Sequence, residues 1–477
     1  MSKAEYDLCV IGGGAAGLVT AAGAAILGAK VLLVEKHRLG GDCLYNGCIP
    51  SKSFIRAADI AHSVQSAHRF GLSAHLNTVD QQAVMNRVAD VIKAIEPNDS
   101  PERFQAMGVD VILAEAQFIT KDRLAVGERE ITARKFVLAT GSRPFIPAIK
   151  GLDSVEYLTN ESIFSIKENI SSLIVIGSGA IGCEMAQSFA RLGSKVSIIS
   201  NTDILPIEDT DMSEVLKRQF DADGISLYLG LTVSKVEKTE GGVSVYISDS
   251  QQQRVIKVDG SHILIAAGRR ANLEGLGLDT AGVSVENERL IVDERLRTSN
   301  KNIFACGDVA GPYLFTHMAE HQAGIVLRNA LFYLPVKAQN TGIPWCTFTS
   351  PELARVGLSE REAQQSGIQY RAYSLPFTEN DRAITEGEIT GKVKIITTPK
   401  GKLLGACIVG PRAGELIAEY VLALSQGLNV TALSNTIHIY PTLAQINRQV
   451  ADQRMKESLT PSKKRWIKRV FGLRGEQ

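Results

Sequence analysis

Cysteine is scarce in this chain: seven residues in 477, at Cys9, Cys43, Cys48, Cys183, Cys306, Cys346 and Cys407. The number is odd and only Cys43 and Cys48 lie close together. That excludes a secreted disulfide framework and fits a reducing compartment with one working pair. Net charge is nearly absent as well, at +1 with a pI near 7.6, so nothing pulls the whole molecule toward nucleic acid or membrane. Long uninterrupted apolar runs are missing. The nearest approach, Leu8–Val34, carries one charge at Lys30, is rich in glycine and alanine, and follows Lys3, Glu5 and Asp7 without a cleavage pattern. It reads as a buried strand and a closely packed helix, not a leader or a membrane span. The cytoplasm is the expected compartment, and no metal site is expected.

What is present is a soluble composition, 44% hydrophobic and 22% charged. A prior of about 100–200 residues per domain gives three domains. The central stretch is Gly40–Lys52, GGDCLYNGCIPSK, where Cys43 and Cys48 are separated by four residues. Residues five apart in a regular helix have alpha carbons roughly 8–9 Å apart, whereas a disulfide needs about 4.4–6.8 Å. For these two to bridge, the chain must leave regular helix. Gly47 permits that, and Pro50 suits the first turn of a following helix. A thiol at a helix start also feels the positive end of the dipole, which favours thiolate. The stretch suits a reactive, reducible pair better than a structural staple. The plainer alternative is two ordinary cysteines in a glycine-rich turn.

Tyr6–Ile11 is a short apolar run suited to a parallel strand, followed by Gly12, Gly14 and Gly17, a helix, a second strand at Val31–Val34, and Glu35. Glycines for close approach to a pyrophosphate, a helix N-terminus and an acid for a ribose hydroxyl form a dinucleotide fingerprint. A second unit repeats it with the strand Leu173–Ile176 and Gly177, Gly179 and Gly182. Two such units imply two dinucleotides, which suits passage of electrons from a nicotinamide to a flavin. The acid expected after the second unit's strand Val196–Ile199 is missing. Ser200 and Asn201 stand there, so NADH and NADPH both remain open. Phe54–Val64 and Gln81–Ile95 read as helices, and Val109–Phe118 and Glu130–Ala139 as strands.

The Gly40–Lys52 stretch resembles the redox signature of the FAD-dependent pyridine nucleotide–disulfide oxidoreductases, the group of dihydrolipoamide dehydrogenase, glutathione reductase and mercuric reductase. The resemblance runs from Tyr6 to about Val450. It implies an α/β fold with two Rossmann-like domains, for FAD and NAD(P), and a C-terminal α+β dimerisation domain. The expected segments are 1–150 and 271–335 for FAD, 151–270 for NAD(P)H, 340–455 for the interface and 456–477 for a basic tail. It implies FAD binding through the first fingerprint with Gly41, Thr140, Gly141, Gly307, Asp308 and Ala319, and His317 is expected near the flavin. It implies coenzyme binding through the second fingerprint with Ser200, Asn201, Gly268 and Arg269. Lys52 and Glu184 are expected to pair beside the flavin, with Cys48 nearest it and Cys43 exchanging with a disulfide or another acceptor. A homodimer is expected.

The family's histidine before Pro-Thr, and its glutamate five residues on, are replaced here by Tyr440 and Gln445. A phenol with a pKa near 10 is a poor base at neutral pH. His438, two residues upstream, would share a side with Tyr440 on an extended segment and is a candidate substitute. Mercuric reduction is disfavoured by the lack of thiols near the C-terminus, since the last cysteine is Cys407. Quinone reduction and a non-catalytic redox sensor are the further alternatives. The segment Ser462–Phe471 combines Trp466, Ile467, Val470 and Phe471 on one helical side with five basic residues, a composition suited to an anionic membrane surface as well as to a solvated helix.

Overall fold

The computed structural model describes residues 4–249, 254–332, 334–339 and 342–475. The chain divides into two units, residues 1–202 with 224–339, and residues 203–223 with 340–477.

In the first unit, five parallel strands run in the order Val109–Leu113, Val31–Glu35, Tyr6–Ile11, Arg129–Leu138 and Ile303–Ala305. The strand Tyr6–Ile11 shows why an unbroken apolar run belongs here. Leu8 and Val10 enter one core with the helices Ala15–Ile26 and Thr316–Leu331, while Cys9 and Ile11 enter the core on the opposite face. The order reverses beside Tyr6–Ile11, which opens a crevice at the strand ends where ligands of such sheets bind. The single strand expected over Val109–Phe118 is two strands. Val109–Leu113 extends the parallel sheet, whereas Ala116–Phe118 turns away to pair antiparallel with Arg123–Val126.

A second parallel sheet in this unit has the order Ser226–Leu229, Lys195–Ser200, Ser172–Ile176 and His262–Ile265. A three-stranded antiparallel sheet of Thr232–Thr239, Gly242–Asp249 and Arg254–Gly260 accompanies it. Short strands Ser142–Pro144 and Arg269–Ala271 pair where the chain crosses between the two nucleotide folds.

The second unit is built on a five-stranded antiparallel sheet, Pro344–Thr347, Glu352–Gly357, Leu403–Gly410, Lys392–Thr397 and Arg371–Pro376 in spatial order. Helices including Ala418–Ser425 and Gln445–Glu457 cover a core of Val393, Ile395, Ile408, Tyr420, Ile446 and Val450. The span 203–223, with the helix Thr210–Ala222, groups with this unit, although it lies inside the 151–270 segment of the sequence reading. Buried charges fix it. Asp209 lies 2.8 Å from Lys394 Nζ, and Glu208 accepts from Trp345 Nε1 at 2.7 Å and lies 3.2 Å from Arg355. The C-terminal helix Pro461–Phe471 buries none of its residues. Among the described residues no helix is long and apolar enough to cross a membrane.

Candidate redox site

The redox stretch forms two helices broken at a turn. Gly41–Tyr45 carries Cys43, the chain leaves helix at Asn46 and Gly47, and Cys48 begins the long helix Cys48–Ser66. A side chain at Gly47 would stand 3.0 Å from the Asp42 carbonyl oxygen and 3.3 Å from Cys43 Cα, so glycine leaves room for the tight return between the two cysteines. Both Cys43 and Cys48 are free cysteines. Their acidities are pulled apart. Cys48 is lowered to about 6, first by its hydrogen bond with Cys43 and then by Thr316 and the Lys52 ammonium, against burial and the Glu184 carboxylate. Cys43 is pushed well up, first by its hydrogen bond to Cys48 and then by burial. Cys48 is exposed and Cys43 half-buried.

Lys52, one turn along the same helix, lies 2.9 Å from Glu184 Oε2 on the helix Ala180–Arg191. Glu184 is buried, so its carboxylate is tolerable only beside a cation. Phe54 packs on Phe189 at a 4.7 Å centroid distance, and Arg191 meets Asp59 at 2.9 Å, so the two helices are fixed along their length. Residues 132 apart in sequence meet here because of that packing.

The first glycine turn forms a cradle. A Cβ on Gly17 would sit 1.8 Å from the Gly12 carbonyl oxygen, and one on Gly41 2.6 Å from Gly14 Cα. Glu35 is held by backbone donors, with Oε2 accepting from Gly13 N at 2.7 Å and Oε1 from His37 N at 2.9 Å. Thr140 Oγ1 donates to the Asn272 carbonyl, and Gly141 adopts φ +68° at the end of that crossing. Gly307 N donates to Gln322 Oε1, and the next residue, Asp308, accepts from Ser142 Oγ. Burial pushes the Asp308 carboxyl up, against the pull of Ser142 and Arg269. Ala319 is buried on the helix Thr316–Leu331, and His317 stacks on Phe315. A glycine cradle, an oriented carboxylate at a strand end and a partly desolvated acid fit a bound dinucleotide such as FAD.

The second fold repeats the cradle at Gly177, Gly179 and Gly182, where a Cβ on Gly182 would lie 2.2 Å from the Gly177 carbonyl oxygen. In place of the acid, buried Ser200 joins Ser178 at 2.8 Å and Thr202 at 3.1 Å in a cluster of hydroxyls, and Asn201 is exposed. Gly268 precedes Arg269, whose guanidinium engages Ser142 and lies 2.7 Å from Asp42.

A sequence profile described as pyridine nucleotide–disulphide oxidoreductase matches residues 6–323, and the dimerisation domain of the same family matches residues 343–450. The chain is a pyridine nucleotide–disulfide oxidoreductase. It is 36% identical over 469 residues to a dihydrolipoyl dehydrogenase of Thermus scotoductus, covering 95% of this chain and 98% of that one. It is 34% identical over 444 residues to a mercuric reductase of Staphylococcus aureus, covering 92% and 81%. Among solved structures, a Cu(II) complex of the HOCl-induced flavoprotein disulfide reductase RclA from Escherichia coli superposes with a TM-score of 0.85 at 27% identity, covering 95% of this chain and all of that one. Like its family, this oxidoreductase uses FAD and NAD(P)H.

The three C-terminal candidates, Tyr440, His438 and Gln445, have different surroundings. Tyr440 is exposed and donates to Asp381 Oδ2 at 3.0 Å, and that carboxylate raises the phenol further above its ordinary value. His438 turns to other partners, with Nδ1 3.1 Å from the Thr436 carbonyl oxygen and Nε2 3.0 Å from Glu419. Both ring nitrogens face acceptor oxygens within the second unit. The shared side expected of an extended segment is absent because 436–442 pairs with no strand. Gln445 heads the helix Gln445–Glu457, half-buried.

Sequence reasoning missed several residues at the redox turn. Thr316 Oγ1 lies 3.4 Å from Cys48 Sγ. Asn160 donates to Asp42 and to the Asn46 carbonyl, gripping both ends of the short helix that carries Cys43. No local pattern announces either one. Asp42 stood in view beside Cys43, but its partners lie more than a hundred residues away.

Proposed function

We propose that this oxidoreductase delivers electrons from NADH or NADPH to a small-molecule disulfide through the Cys43–Cys48 pair. The observation that carries the reading is the turn at Asn46 and Gly47, which sets Cys43 and Cys48 on consecutive helices, with Cys48 Sγ 3.4 Å from Thr316 Oγ1 and on the helix that bears Lys52. Bound FAD would supply hydride acceptance from the nicotinamide and two-electron reduction of the cysteine disulfide. Lys52 keeps a positive charge on that side, and Glu184 fixes its position. The chain's thiols then perform exchange. Cys43, its proton passed to the neighbouring Cys48 thiolate, attacks the acceptor's S–S bond and expels one thiolate, which takes that proton back from Cys48. Cys48 then attacks the mixed disulfide at Cys43 and expels the second thiolate, protonated from solvent. Two electrons and two protons pass to the acceptor, and the Cys43–Cys48 bond is restored.

A second reading has its own support. Tyr440 is bonded to Asp381 and His438 to Glu419 and Thr436, so the family's histidine base before Pro-Thr has no direct counterpart in that segment. A soft metal ion needs thiolates but no such base, and the relatives include mercuric reductases and a Cu(II) complex. Anaerobic reduction with NADH and NADPH, followed by lipoamide, glutathione disulfide, Hg(II) and Cu(II), separates the two. Turnover of a disulfide that is lost in C43S supports the first reading. Turnover of metal ions alone transfers the assignment to the second.

The matched dimerisation domain supports a homodimer, checked by light scattering. For the tail helix, Trp466, Val470 and Phe471 are exposed beside Lys463, Lys464, Arg465, Lys468 and Arg469. This combination supports peripheral contact with anionic lipid. Co-sedimentation with phosphatidylserine vesicles, lost on deleting 458–477, is the expected result. Binding that survives the deletion removes the idea.

A further inference from the structure

We infer that Arg269 is a charge clamp for the flavin-binding fold: one guanidinium holds the carboxylates of Asp42 and Asp308 and so permits FAD to bind, rather than gripping the nicotinamide coenzyme. The inference concerns how the chain accommodates the FAD its family uses.

Arg269 is largely sequestered, its side chain only 13% exposed. Nη2 lies 2.7 Å from Asp42 Oδ2 and donates to the Ser142 carbonyl at 3.0 Å. Nε donates to Ser142 Oγ at 2.7 Å and stands 3.8 Å from Asp308 Oδ2. Ser142 Oγ in turn donates to Asp308, so the hydroxyl relays between the guanidinium and the second carboxylate. The whole constellation is internal to the first unit.

The two carboxylates are badly placed for an anionic ligand unless a cation accompanies them. Asp42 follows Gly41, whose alpha carbon abuts Gly14 in the first glycine turn, the element suited to a diphosphate. Asp308 follows Gly307, where a Cβ would meet Ala16 at 3.0 Å, at the start of the same helix. Glu35 adds a third carboxylate at the end of the neighbouring strand. Bringing a diphosphate to this fold therefore sets it against acidic groups. Among the ion pairs of the described residues, Arg269 is the cation that reaches two of these acids, Asp42 and Asp308.

The clamp also reaches the redox turn. Asp42 accepts from Asn160, which donates as well to Asn46, so the anchored carboxylate helps set both ends of the helix Gly41–Tyr45 that carries Cys43. Arg269 itself stands on the strand paired with Ser142–Pro144, the crossing between the nucleotide folds. It is a positioning residue with no assigned part in bond making.

The test compares R269Q, D42N and D42N/R269Q by FAD titration of the apoprotein, then by KM for NADH and NADPH in FAD-saturated enzyme. R269Q is expected to bind FAD at least about tenfold more weakly, because two carboxylates are left uncompensated. D42N/R269Q is expected to recover most of that loss, and KM for either coenzyme to stay within about twofold of wild type, the scatter of uncoupled sites. R269Q with normal FAD affinity and a raised coenzyme KM would return Arg269 to the nicotinamide and overturn the inference. So would a double variant that binds FAD no better than R269Q. Should R269Q fail to fold, D42N alone decides: it is expected to hold FAD as tightly as wild type or more tightly, and weaker binding overturns the clamp.

Discussion

Replacing Thr316 with valine keeps the shape of the side chain and removes its hydroxyl, which makes it the cleanest perturbation of Cys48. The hydroxyl lies 3.4 Å from Cys48 Sγ and opens the helix Thr316–Leu331. When Cys48 is ionised the hydroxyl donates to the thiolate. A hydrogen bond to a charged group contributes about 1.5–3 kcal/mol. The sulfur is partly open to solvent, so the lower end applies, and about 1.4 kcal/mol corresponds to one pKa unit. Wild-type Cys48 sits at about 6. It is therefore mostly thiolate at neutral pH and mostly thiol below pH 5. T316V is expected to move the midpoint up by about one unit. The assay is the rate of iodoacetamide alkylation of the chemically reduced protein against pH, with the Cys48 peptide followed separately from that of Cys43. An unchanged midpoint in T316V would refute the reasoning and leave the low value to Cys43 and Lys52.

K52M removes the cation beside Cys48 and strands a buried Glu184. It is expected to raise the Cys48 midpoint in the same assay. It is also expected to cost about 1–2 kcal/mol in urea denaturation, with Lys52 partly exposed, and E184Q in the same background should recover part of it. S200E puts a carboxylate at the end of the second fold's strand in place of the Ser178–Ser200–Thr202 hydroxyl cluster. Its kcat/KM is expected to shift by about tenfold or more toward NADH, since an anion there repels a 2′-phosphate. In the second unit, burial pushes Asp209 up, but Lys394 and the backbone N–H groups of Arg361 and Glu360 outweigh it, leaving the carboxyl below its ordinary 3.8. Asp211 is lowered likewise by Lys392 and Lys394. Depressed acids stabilise fully above their unfolded pKa, and that stability is lost as pH falls below about 4. Urea midpoints at pH 6 and pH 3 are expected to differ more in wild type than in D209N, and D209N should itself cost about 2 kcal/mol at pH 6.

The parallel strands, both glycine turns and the redox stretch were legible because each is a local pattern. An apolar run can be buried on both faces, glycine sits where no Cβ fits, and Gly47 sits where the helix must break. The Lys52–Glu184 contact was reached only through the family resemblance, since nothing local joins residues 132 apart. Thr316 escaped for the same reason, at a separation of 268. The sequence alone did not fix the direction of Tyr440 and His438. Strand alternation predicts a shared side, but no ladder constrains 436–442, and the carboxylates of Asp381 and Glu419 draw the two side chains to different partners. The split within Val109–Phe118 was hidden because both halves are apolar enough for strand. Only the pairing partner distinguishes them.

The grouping of residues 203–223 with the C-terminal unit bears on modularity. The chain passes from one unit to the other three times, so a single cut near residue 340 does not yield two self-sufficient pieces. Such a cut would leave Glu208 and Asp209, both buried, without Arg355 and Lys394, and would strip the sheet of the helix Thr210–Ala222. A hybrid that borrows the interface half of a relative must therefore carry that helix across with it, or rebuild its ion pairs. In this chain, residues 203–223 therefore travel with the C-terminal sheet rather than with the nucleotide folds that flank them in sequence.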